Sequence, residues 1–153
     1  MGLIYLAAYK GQGKLFNRLI RLWTRSSYSH CELVMPDGRW LSASAMDGGV
    51  REKHIDLNLE HWDLLPLPWA DARHIAAVFA RHQGKGYDWL GIFLSQLLPV
   101  ATDHRERMFC SEFCASALGF EDAQRYSPAL LAGAVQRINR LPFAQLGHSP
   151  QEG

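Results

Sequence analysis

Apolar and polar positions alternate with period two through much of the first half of the chain and recur with helical spacing through the second. The apolar opening run, Leu3 to Tyr9, predicts a first strand. Leu15, Phe16, Leu19, Ile20, Leu22 and Trp23 then fall on one helical face, with Lys14, Arg18, Arg21 and Arg25 on the other. Residues 29–35 read as a strand, Pro36-Asp37-Gly38 as a turn, and 39–46 as the returning strand. Asp47-Gly48-Gly49 makes another turn into a strand over 50–55, and 62–67 is a further short strand.

From residue 70 to about 82 the spacing of Ala72, Ile75, Ala76 and Phe79 predicts a helix, broken by Gly84 and Gly86. Residues 88–98 form an apolar helix stopped by Pro99, and 109–118 another closed by Gly119. Ser127-Pro128 opens a last helix through about 138, with Ser as N-cap and Pro at the first position. Strands lead and helices follow, so the expected class is α+β, an antiparallel sheet packed against helices. Residues 1–146 read as a single domain and the polar stretch 147–153 as a flexible tail.

Composition narrows the function classes. With 153 residues, 48% of them hydrophobic, the chain buries a core without needing disulfides or a structural metal. A net charge of +1 argues against a nucleic-acid binder. No stretch reaches the ~20 apolar residues of a membrane helix, and the start lacks the basic n-region of a signal peptide. The expectation is a chain made in the cytoplasm, reaching any external substrate by lysis or a secretion apparatus. The balance of charge hides an asymmetry: five cations precede the first acid, Glu32, leaving −4 on the remainder. The basic helix at 15–25 is either a contact to an anionic surface such as a membrane or a solvated face on a packed helix.

Three cysteines cannot all pair within one chain. Cys110 sits at the expected start of the 109–118 helix, where unpaired amides and the positive helix end favour a thiolate and can hold an oxyanion. Cys114, one turn on, shares a buried face with Phe113 and Ala117 and reads as core. Among seven histidines, His30 is the best placed base, held by a strand. Cys31, its neighbour, points to the opposite face. The other histidines fall at strand ends, on helix surfaces or in loops. Residue types alone leave a Cys110–His30 pair, separate core residues, and a zinc site of Cys110, Cys114, His30 and Cys31 all open. No C-x-x-C or H-E-x-x-H favours the metal, and no cofactor is expected.

Three segments carry a resemblance: Ser29-His30-Cys31-Glu32-Leu33-Val34, Gly86-Tyr87-Asp88-Trp89-Leu90-Gly91 and Phe109-Cys110-Ser111-Glu112-Phe113. In that order they resemble the motifs of circularly permuted NlpC-type papain-like cysteine hydrolases, the YiiX-like branch related in architecture to lecithin:retinol acyltransferase. The resemblance implies a permuted papain-like fold with Cys110 as nucleophile and His30 as general base. Tyr87 matches a tyrosine near the nucleophile, or simply anchors a helix start. The histidine-orienting residue falls on the next strand, where Ser42 is the closest match, with Ser44 on the same face. Glu32, two residues from His30 and on its face, is the alternative, or else has an ordinary ion-pair role. The implied activity is amide or ester hydrolysis, with bacterial cell-wall peptides expected first and acyl lipids second. A non-catalytic binding module on the same fold is the third reading. Oligomeric state is not legible.

Overall fold

The computed structural model describes residues 2–11, 27–44, 47–84 and 110–141. The expected helices at 15–25 and 88–98, Tyr87 and the 147–153 tail lie outside them. Within the described residues the chain is α+β, with an antiparallel five-stranded sheet and three α-helices. The strands are β1 (Tyr5–Tyr9), β2 (His30–Val34), β3 (Trp40–Ser44), β4 (Gly49–Lys53) and β5 (Trp62–Pro66). Then come α1 (Ala72–His82), α2 (Cys110–Ala117), a 3₁₀ turn (Ala123–Arg125) and α3 (Pro128–Asn139).

Spatial order is β4-β3-β2-β1-β5, a meander whose last strand returns to pair with the first. The β2–β3 reversal needs Gly38 at φ +84°, a region open to glycine at little steric cost. Asp37 completes the turn by accepting from the Arg39 N–H at 3.1 Å and from its guanidinium at 2.8 Å. Strand alternation then sends Leu6, Cys31, Leu33, Leu41, Ala43 and Val50 into the core shared with the helices. Ala7, Trp40 and Trp62 form a second cluster with Tyr9, Val34, Ile55 and Leu64. Trp62 meets Tyr9 and Trp40 edge-on, with ring centroids 4.9 and 5.1 Å apart.

The helices begin and end where their caps place them. Asp71 accepts from the Arg73 N–H at the start of α1, and Ser127 from the Leu130 N–H at the start of α3, with Pro128 in the first turn. The short helix α2 is the most enclosed: Cys110, Ser111, Phe113, Cys114, Ala115 and Ala117 are all buried. Phe113 packs edge-on against Phe79 of α1, and α2 lies against β2 and β3 on the sheet side. It ends in a Schellman motif: Gly119, at φ +78°, donates to Ser116 O and Phe120 donates to Ala115 O. Among the described residues no helix is long and apolar enough to cross a membrane.

Candidate active site

The pieces of the site come from four elements. β2 contributes His30, Cys31 and Glu32; α2 contributes Cys110; β3 contributes Ser42; β4 contributes Arg51. Cys110 is the first described residue of its helix and His30 the first of its strand, and the thiol and the imidazole shift each other's affinity for a proton. His30 Nε2 is hydrogen-bonded to Glu32 Oε1 at 3.0 Å, so the ring nitrogen left for Cys110 is Nδ1. The spacing of two residues on one strand face makes the His30–Glu32 contact possible.

Glu32 is no surface residue, being only 2% exposed. Arg51 grips it in a fork, Nη1 donating to Oε2 at 2.8 Å and Nη2 to Oε1 at 2.7 Å. Arg51 Nε in turn donates to Asp47 Oδ2 at 2.8 Å, and Lys53 pairs with the other Asp47 oxygen.

Ser42, the closest match for the orienting position, does not reach the imidazole. Its hydroxyl donates to the Cys31 carbonyl at 2.7 Å. The reason lies in the strand pairing: the β2–β3 ladder runs through Leu33↔Leu41 and Val34↔Trp40 and stops there. Beyond it the Cys31 carbonyl lacks a ladder partner on β3, and Ser42 supplies the missing donor from its side chain. The carboxylate that holds His30 is Glu32, which leaves Ser42 a role in the sheet.

Cys31 points away from His30, as alternation requires, yet it is not remote from the nucleophile candidate. It lies in the core with Cys110 and Cys114, and it and Cys110 shift each other's proton affinity. Cys114 is fully buried, as its helical spacing predicts, and its Sγ–H donates weakly to the Cys31 carbonyl at 3.7 Å. All three thiols are free. No group of three or more His, Cys, Asp or Glu among the described residues is arranged to hold a metal ion.

These contacts set the proton affinities. Burial alone pushes the His30 pKa down, but the sulfur of Cys110 and the Glu32 carboxylate outweigh it and raise it from 6.5 to about 10. Burial opposes ionisation of Glu32, yet Arg51 and His30 hold its pKa below the ordinary carboxylate value. Cys110 departs from the expectation drawn from its helix position. Its interaction with Cys31, together with burial, holds the thiol well above its ordinary value, against the downward pull of His30. A helix end acts through a fraction of a charge, whereas here the thiol is buried in the same core as a second sulfur.

Beside His30 the Trp62 ring stands edge-on, centroids 6.3 Å apart. The Ser29 hydroxyl is buried without a hydrogen-bond partner. Among the other histidines, His54 and His61 lie in connections and His74 and His82 in α1, none in this cluster; His104 and His148 fall outside the described residues. Arg51 was not foreseen: a lone arginine on a fourth strand carries no local signal that it crosses the sheet. No family model, curated protein or solved structure matches the chain.

Proposed function

We propose that the chain is a cysteine hydrolase of the amidase or peptidase type, on a permuted papain-like fold, with peptides of the bacterial cell wall as substrate class. One observation carries this reading. The imidazole of His30 is hydrogen-bonded to a buried carboxylate that Arg51 clamps, and it is coupled electrostatically to the thiol of Cys110. The ordered resemblance of the His30, Tyr87 and Cys110 segments to the NlpC-type hydrolases supports it, and Glu32 takes the orienting position in place of Ser42.

The proton count decides how such a pair works. Thiol and imidazole are coupled, each shifting the other's affinity for a proton, so their titration belongs to the pair. The reactive form is the thiolate beside the protonated imidazole. Sγ then attacks the substrate carbonyl carbon while amides at the start of α2 hold the oxyanion. The C–N bond breaks and the proton on His30 leaves with the amine. His30 next takes a proton from water, the hydroxide attacks the thioester, and the acid product departs as Cys110 recovers its proton.

Alkylation of Cys110 by iodoacetamide, followed across pH in the wild type and in His30→Ala, tests the pair. The expected rate rises on an alkaline limb above the free-cysteine midpoint of ~8.5, and that limb moves when His30 is removed. A thiol indifferent to His30→Ala refutes the mechanism. Digestion of purified muropeptides, assayed for new amine ends and compared with Cys110→Ala, tests the substrate class. A non-catalytic module has the high affinity of Cys110 for its proton in its favour. Alkaline reactivity without turnover of muropeptides or acyl esters would select it.

A further inference from the structure

Arg51 reaches Glu32 from two strands away. Ser42 pairs with Arg51 across β3 and β4, and Ala7 pairs with Glu32 across β1 and β2. The β2–β3 pairing ends one residue short of Ser42, at Leu33↔Leu41. Ser42 of β3 thus stands between Arg51 on β4 and the strand that carries Glu32. Neighbouring strands stand ~4.8 Å apart, so Arg51 must span about twice that distance over Ser42. A serine leaves the crossing open; a larger side chain on that face would block it.

The result is a chain of alternating charge, Lys53–Asp47–Arg51–Glu32–His30. Glu32 Oε1 accepts from both Arg51 Nη2 and His30 Nε2, so the arginine sets the orientation of the oxygen that the imidazole sees. A lysine, with a point charge and no planar fork, cannot fix both oxygens in this way.

We propose that Arg51 is the positioning residue of this site: by clamping both oxygens of Glu32 it aims Oε1 at His30. This rests on the reading of Cys110 and His30 as nucleophile and base. Arg51 touches neither substrate nor sulfur and acts through Glu32. The other groups facing His30 are Cys110 from α2, Tyr9 from β1 and Trp62 from β5. Lys53 and Asp47 act from the β4 side, and His61 lies beyond Tyr9.

The test uses the full chain in wild type, Arg51→Met, Arg51→Lys and Arg39→Met. The last removes an exposed ion pair of the same hairpin as a control. Imidazole titration by NMR, thermal melting and Cys110 alkylation rate are read for each. Removing the Arg51 charge leaves Glu32 to be neutralised by His30 alone. The His30 midpoint in Arg51→Met is therefore expected to rise by at least one unit, with alkylation slowed roughly tenfold at pH 8, about 1.4 kcal/mol. Arg51→Lys keeps the charge and should return the midpoint to within half a unit of wild type. It loses the fork, so alkylation stays several-fold slow. Arg39→Met should change neither.

A His30 midpoint unmoved in Arg51→Met, with only the melting temperature lowered, overturns the proposal. Should Arg51→Met not fold, Arg51→Lys decides: wild-type alkylation with an unchanged profile overturns it equally. The two readings fail separately. Alkylation indifferent to His30→Ala sinks the hydrolase mechanism, whereas alkylation that needs His30 but ignores Arg51 sinks the positioning role alone.

Discussion

At the scale of single residues, Cys31 and Ser42 do work that their types do not advertise. Cys31 shares the core with Cys110 and raises its affinity for the proton more than any other neighbour. Cys31→Ala should therefore move the midpoint of Cys110 alkylation to lower pH, leaving His30 to act on the sulfur with less opposition. A midpoint that stays put or climbs in that variant contradicts the assignment. Ser42→Ala removes one buried hydrogen bond to the Cys31 carbonyl, at a cost of about 1–2 kcal/mol in chemical denaturation. The His30 titration should not move, because no contact joins Ser42 to the imidazole. Glu32 could be read as a candidate in the sequence from its spacing of two on the histidine strand. What the sequence could not rank was Glu32 against Ser42, because that choice depends on where the β2–β3 ladder ends.

At the scale of elements, the period-two and helical patterns placed all five described strands and all three described α-helices. Their ends differ from expectation by a few residues: β4 starts at Gly49 and stops at Lys53, where 50–55 was expected. The 3₁₀ turn at Ala123–Arg125 went unseen, since three residues are too few to show a period, and Asp122 enters it at φ 52°. The N-caps Asp71 and Ser127 reflect local chemistry, and Ser127-Pro128 was legible for that reason. Helix α2 depends on its C-terminal glycine for a firm stop. Gly119→Ala places a Cβ at φ +78° and should cost about 1 kcal/mol or more. Because α2 carries Cys110 at its other end, thermal melting and alkylation rate should be measured together. Loss of stability is expected, and an unchanged or raised melting temperature counts against the motif's role.

For the whole molecule, the proton affinities set a pH window of stability. Glu32, Asp47 and Asp63 have lowered values in the folded chain, Asp47 at about 2. Their contribution is present above the unfolded carboxylate range of ~4–4.5 and is lost as pH falls through the folded values. His30 is raised from 6.5 to about 10, and Tyr28, partly buried and bonded to Asp63, from 10.0 to about 12. Raised groups stabilise below their unfolded values, so stability declines as pH climbs from about 6.5 to 10, and again toward 12. Urea denaturation across pH should thus show its maximum between roughly pH 4.5 and 6.5. A maximum at or above pH 8 contradicts the His30 assignment. Reactivity of the Cys110 pair rises over the same range in which the fold weakens, so the two optima should not coincide.

The alternating chain from Lys53 to His30 also decides how the molecule meets dissolved ions. At 0.01 M salt the Debye length is about 30 Å and at 1 M about 3 Å, a change that quenches attraction between charges bathed in solvent. Arg39 with Asp37 and Glu52 is of that kind. Glu32 and Arg51 are not, because their side chains are 2% and 14% exposed and no counterion can come between them. Ionic strength will loosen the outer pairs of the hairpin and leave the clamp on His30 as it was, so the site keeps the same electrostatics in dilute buffer and in brine.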